Sequence, residues 1–199
     1  MITKEHLIKK LKNEGFSEPI LNAFSSIRRE DFISEKLLSY AYQDIPLPLG
    51  FNSTISQPYT IAFMLNLLEI ENSENFNILE IGCGCGYVLC LMNELCRKSQ
   101  LIGIEVNEEV GYDAIERLDT YENIYVRIGN GKKGLADEAP FDRILLSADA
   151  GERPYHLIKQ LNDYGIIVSP VGNSIFKIKK KGTDITEEEF YGFRFVPLV

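Results

Sequence analysis

Ile78-Leu-Glu-Ile-Gly-Cys-Gly-Cys-Gly-Tyr87 is a short apolar run, broken by one acid, that passes directly into three alternate glycines. Ile78 to Ile81 shows too little alternation for a strand with one wet face, so it reads as a strand covered on both faces. Glycine reaches positive φ and lets a ligand touch the main chain. From Tyr87 to Cys96 the apolar residues recur at helical spacing, and a helix that opens there offers unpaired amide donors. Buried strand, glycine turn and helix start, in that order, make a cradle for a small ligand.

Downstream, apolar runs and helical patterns alternate. Strands are expected at Leu101 to Val106, Asn123 to Ile128, Phe141 to Ser147 and Gly165 to Pro170, with helices at Glu108 to Leu118 and Pro154 to Leu161. Such alternation implies an α/β fold with a parallel sheet and right-handed crossovers. Ser174 to Lys180 and Phe190 to Leu198 read as two further strands, joined by the polar segment 182–189 and paired antiparallel at one end. Lys177-Ile-Lys-Lys-Lys181 reads as an exposed edge strand guarded by lysines.

Upstream, Lys4 to Phe32 carries apolar residues at helical spacing and suggests two or three short helices. Gly15 separates the first two, and Ser17-Glu-Pro19 starts the second with a cap and a first-turn proline. Tyr40 to Tyr59, with three prolines among small polar residues, reads as a long irregular loop of the kind that often carries function. A helix follows from Pro58 to about Leu68. The expected division is 1–72, helices and a covering loop, and 73–199, the ligand-binding core, packed as one compact unit.

With 199 residues, 45% hydrophobic and 25% charged, the composition is that of an ordinary globular domain. The N-terminus is an amphipathic, charged helix and not a signal peptide, and no stretch approaches the ~20 apolar residues of a membrane span, so a cytoplasmic location is the default. A net charge of -8 repels polyanions and argues against nucleic acid. Cys83, Cys85, Cys90 and Cys96 have no zinc spacing and crowd one element, which makes them reduced packing residues. His6 and His156 lie in helical segments and read as surface residues. No apolar surface stripe calls for a partner subunit, so a monomer is expected.

A glycine loop after a first strand also holds dinucleotides, or closes a tight turn with no ligand at all. Here the spacing is G-x-G-x-G, Glu80 precedes the first glycine by two residues, and Glu105 lies near the end of the next strand about twenty residues on, where a carboxylate can accept from ribose hydroxyls. The set resembles the class I S-adenosylmethionine-dependent methyltransferases. That resemblance implies a Rossmann-like three-layer sandwich with a mostly parallel seven-stranded sheet and antiparallel C-terminal strands. It also implies S-adenosyl-L-methionine as cofactor, no metal, and cofactor contacts from Glu80, Gly82, Cys83, Gly84, Gly86, Glu105, Val106, Asn130 and Gly131.

Ala41-Tyr-Gln-Asp-Ile-Pro-Leu-Pro-Leu-Gly50, Thr54-Ile-Ser-Gln-Pro58 and the upstream Arg28-Arg-Glu-Asp-Phe32 narrow the class. With Gly129-Asn-Gly131, Ala139-Pro-Phe-Asp142, Gly165 to Gly172 and Arg194-Phe-Val-Pro-Leu198, they resemble the protein-L-isoaspartate O-methyltransferase family over almost the whole chain. The family methylates the α-carboxylate of isoaspartyl residues in aged proteins, and the ester collapses to a succinimide whose hydrolysis restores some aspartate. By resemblance, Ser56 holds the substrate carboxylate and is the catalytic residue, with Thr54, Ile55, Val196 and Pro197 near the substrate. A carboxylate is already ionised near neutral pH, so no general base is needed.

Two departures stand out. Asn130 replaces the family's usual aspartate, expected near the adenine amine, and Asn52-Ser53 replaces a glycine-glutamine-like pair. They leave two other readings open: a carboxyl methyltransferase for a dedicated peptide, and a non-catalytic module that recognises isoaspartyl proteins.

Overall fold

The computed structural model describes residues 2–199. Helix α1 (Lys4–Asn13) starts at Thr3, whose hydroxyl accepts from the His6 amide while the His6 ring returns to the Thr3 amide. Helix α2 (Glu18–Ser26) is capped by Ser17 and has its proline in the first turn, and a 3-10 turn at Arg29–Phe32 completes the N-terminal group. Helix α3 (Pro58–Leu68) ends where Glu69 turns left-handed, with φ 53°.

The segment read as an irregular loop holds a hairpin. Strands β1 (Leu47–Gly50) and β2 (Ser53–Ile55) pair antiparallel, with Leu47 opposite Ile55 and Pro48 opposite Thr54. Phe51 and Asn52 both have positive φ at the tip, the backbone of a two-residue hairpin turn. The prolines hid this hairpin; Pro48 is tolerated because both strands of a two-strand ribbon are edges, and the pairing is irregular just after it.

The main sheet comprises β3 (Asn77–Ile81), β4 (Gln100–Glu105), β5 (Ile124–Ile128), β6 (Phe141–Leu146), β7 (Leu161–Val171), β8 (Ser174–Lys181) and β9 (Asp184–Tyr191), in the order β5-β4-β3-β6-β7-β8-β9. The pairs from β5 through β7 are parallel and the last two antiparallel. Alternate residues of each strand face opposite layers. Ile78, Leu101, Leu145 and Val168 pack under α1 to α3 and α4 (Tyr87–Leu95), in one core with Leu11, Phe24 and Leu65. Leu79, Ile102, Ile144 and Ile167 face the other layer. That third layer is thin there: instead of an α-helix at 154–161, a 3-10 turn at Tyr155–Gln160 buries Leu157. Helix α5 (Glu108–Leu118), capped by Asn107, connects β4 to β5.

The C-terminal strands also depart from expectation. Residues 182–189, read as a polar connector, lie almost wholly in β9, while Phe190 to Leu198 is mostly irregular and touches the rest through an Asp149–Pro197 bridge. Gly182, with φ 60°, makes a two-residue turn that sets Lys177 opposite Glu188 and Lys181 opposite Asp184. Cross-strand pairs of opposite charge stabilise a strand whose own propensity is poor. The lysine-rich β8 is therefore interior and acidic β9 is the edge. Lys177 is buried, its ammonium 2.6 Å from Glu69.

Candidate active site

The chain runs from β3 outward through β4 to β5, then returns to place β6 on the other side of β3. Ligands of such sheets bind outside the carboxyl ends of the strands at that reversal. Glu80 and the glycine loop leave from β3 there, and Ser147 follows β6.

Glu80 is fully buried. One carboxyl oxygen accepts from the Ser147 hydroxyl at 2.6 Å, and the other has no partner among the described residues. Burial pushes its carboxyl up to about 8; Ser147 opposes that shift and the charge of Glu105 adds to it. Glu105, also buried, accepts from the Gly84 amide at 2.9 Å and the Asn107 amide at 3.0 Å. Two amide bonds leave lone pairs free on both oxygens. The Gly82 and Cys83 amides are taken by the Ile104 carbonyl. Gly84 has φ 53°, and a Cβ there would stand 3.6 Å from Leu49, so strand β1 of the hairpin packs against the loop. At Gly86, with φ 82°, a Cβ would come within 2.6 Å of Leu118.

The hairpin supplies the opposite wall. Ser56 and Ser147 line a cavity of about 450 Å³ with Thr54, Gln57, Thr60, Phe195 and Val196. Both serines also face the small space beneath the hairpin where Glu80, Gly82 and Gly84 meet. Ile55 is buried in the core and borders that small space. Val196 lines the larger cavity, its carbonyl held by the Asp149 amide at 2.8 Å; Pro197 lies outside it, on the bridge to Asp149. Cys83 also turns its side chain into the core, toward Gly103, so its main chain is what borders the loop. Val106 is more than one-third exposed beyond Glu105. Asn130 is exposed after β5 with its Oδ1 accepting from the Lys132 amide at 2.9 Å, and Gly131 is buried against Ile81 and Ile104.

Ser147 and Arg29 were not singled out from the sequence. Ser147 sits after an apolar run like any strand end, and its one signal is its place just beyond the strand that returns beside β3. The four cysteines are buried and free; burial raises the thiols, Cys85 to about 11, which suits packing rather than reactivity. No group of residues suited to a metal ion occurs among the described residues, and none of the described helices is long and apolar enough to cross a membrane.

A glycine cradle between two buried acids, Glu80 in β3 and Glu105 at the end of β4, on a mostly parallel seven-stranded sheet ending in an antiparallel hairpin, defines a class I methyltransferase. The protein-L-isoaspartate(D-aspartate) O-methyltransferase family model matches residues 2–199, and the chain belongs to that family. A protein-L-isoaspartate O-methyltransferase of Dictyoglomus thermophilum is 37% identical over 98% of this chain and 90% of its own length. One from Pyrobaculum islandicum is 39% identical over 96% and 97%. A solved protein-L-isoaspartate O-methyltransferase superposes with a TM-score of 0.87 at 29% identity, covering 98% of this chain; the chain spans 65% of that structure's length. A Plasmodium falciparum structure, solved with S-adenosyl-L-homocysteine, shares the fold with a TM-score of 0.82 at 22% identity over 98% of this chain and 97% of its own.

Proposed function

We propose that the protein transfers a methyl group from S-adenosyl-L-methionine to the free α-carboxylate of L-isoaspartyl residues in damaged proteins and peptides. The observation that carries this reading is the meeting, under one hairpin, of Ser56 with the glycine loop and with Glu80, one of whose buried oxygens has no partner among the described residues. The residues fit the cofactor: Glu80 for its ammonium group, Gly82, Cys83 and Gly84 through their main chain, Gly86 to let the helix start closely, Glu105 for the ribose diol, and Val106, Asn130 and Gly131 around the base. When bound, the cofactor supplies an electrophilic methyl group on a sulfonium centre.

On the substrate side, Ser56 donates to the carboxylate and aligns one oxygen with the methyl carbon. Thr54, Ile55 and Val196 hold the neighbouring main chain, with Pro197 fixing the end of that segment. Anion and cation neutralise each other in the transition state, so exclusion of water and alignment contribute most of the rate. No described histidine is placed for proton transfer: His6 caps α1, and His156 contacts the Lys132 carbonyl. A monomer in the cytoplasm completes the reading, supported by four thiols that pack as free cysteines.

The deciding experiment offers labelled S-adenosyl-L-methionine with matched isoaspartyl and aspartyl peptides. Selective labelling of the isoaspartyl peptide is expected; equal labelling, or cofactor binding without transfer, overturns the repair reading.

Two binding predictions follow from the acids and the amide. In the free protein Glu80 is largely protonated below about pH 8. An arriving ammonium favours the carboxylate, so binding expels a proton. Affinity for S-adenosyl-L-homocysteine should therefore rise from about pH 6.5 toward pH 8 and then level, with proton release seen by calorimetry in buffers of different ionisation enthalpy. Glu80→Gln should abolish that release. The folded-state value also lies above that of a free carboxyl, so stability from this group falls as pH rises toward 8.

Asn130 has one amide atom committed to the Lys132 cap, which leaves an NH₂ donor where an aspartate would offer a second acceptor. Asn130→Asp should tighten S-adenosyl-L-homocysteine about fivefold, roughly 1 kcal/mol, as one charge-assisted bond is gained. An unchanged or weaker dissociation constant would place the adenine amine elsewhere.

A further inference from the structure

Arg29 lies in a run of four charged residues, yet its side chain is fully buried. No carboxylate lies within ion-pair distance among the described residues. The nearby Asp44 is committed to Lys10 at 2.6 Å and to the Tyr59 amide at 2.8 Å. The guanidinium instead donates to four main-chain carbonyls: Nη1 to Ala41 at 2.8 Å and Gln43 at 3.2 Å, Nη2 to Ile45 at 3.1 Å and Ser56 at 3.1 Å. Nε has no partner.

These acceptors belong to two segments that flank the β1–β2 hairpin: residues 41–45 enter it, and Ser56 leaves it. One planar fork thus closes the base of a loop whose two strands make few bonds of their own. The bond to the Ser56 carbonyl fixes the main chain of a residue that lines the cavity.

We propose that Arg29 is a positioning residue for methyl transfer, clamping both ends of the hairpin so that the Ser56 hydroxyl is held at the substrate carboxylate. This rests on the role given to Ser56 above. A lysine at this position keeps the charge but carries its donors on one nitrogen, which cannot span both segments. Misplacement of about 1 Å in such a site costs on the order of a hundredfold in rate.

The test is a double-mutant cycle on the full-length protein with Arg29→Lys and Ser56→Ala, read as kcat and KM for an isoaspartyl peptide and as the dissociation constant of S-adenosyl-L-homocysteine. Arg29→Lys is expected to lower kcat/KM by about 30- to 100-fold, to leave cofactor affinity within about twofold, and to shrink the further loss from Ser56→Ala to a few-fold. Additive losses overturn the inference, as does an equal loss of cofactor affinity, which would make Arg29 a general support of the fold. A Ser56→Ala variant with full activity overturns the Ser56 reading instead, so the two failures are distinct. Should the lysine variant not fold, Arg29→Ala purified with millimolar guanidinium replaces it. Recovery of turnover on adding guanidinium, and not ammonium, supports the clamp; no recovery in folded protein overturns it.

Discussion

Ser56→Ala is expected to lower kcat for an isoaspartyl peptide by about two orders of magnitude, with the dissociation constant of S-adenosyl-L-homocysteine changed less than twofold. The asymmetry follows from placement. Ser56 borders both the large cavity and the small space at the glycine loop, while the main-chain groups and acids assigned to the cofactor come from β3, β4 and their loops. Removing one hydroxyl leaves that wall intact but lets the substrate carboxylate rotate. Steady-state kinetics with calorimetric titration checks it, and a parallel loss of cofactor affinity would reduce Ser56 to a support for the hairpin.

Glu105→Ala should produce the largest binding defect, a loss of S-adenosyl-L-homocysteine affinity of a hundredfold or more. Each hydrogen bond to a charged group contributes about 1.5–3 kcal/mol, and a ribose diol offers two. The variant also releases the Gly84 and Asn107 amides, which order the glycine loop and the start of α5. Glu105→Gln should recover little. Its NH₂ group must face one of those two amide donors, and two donors cannot share a bond. Retention of tight binding in either variant, measured by calorimetry, would remove Glu105 from the cofactor site.

Both effects are expected to be large because the fold gathers these residues in one place. The hairpin and the glycine loop are far apart in sequence, and the close approach of Leu49 to Gly84 brings them together. Arg29 and Asp149 hold the two outer walls, the first through carbonyls and the second through the Gly151 and Gly172 amides and the main chain of Val196 and Leu198.

Much of this was legible before any coordinates. Helices α3 and α5 and strands β3 to β6 lie where apolar periodicity and caps place them, because a strand buried on both faces and a capped amphipathic helix are local statements. The β1–β2 hairpin was hidden, since proline and exposed φ-positive tip residues look like loop until cross-strand pairing is known. Strand β9 was hidden for a related reason: Glu187-Glu-Glu189 has no strand signal of its own and becomes a strand by pairing with Ile178, Lys177 and Phe176 of β8.

Sequence alone determined the class of ligand loop, the family and the positions of Ser56, Glu80 and Glu105 along the chain, because those depend on residue type and order. Tertiary structure decided what those residues face. The pairing of Glu80 with Ser147, the burial of Arg29 under four carbonyls and the inward turn of Ile55 and Cys83 join groups separated by up to 67 residues. Burial and long-range hydrogen bonding convert a charged run into a clamp and an ordinary glutamate into an acid that holds its proton near neutral pH, and neither property resides in the residue itself.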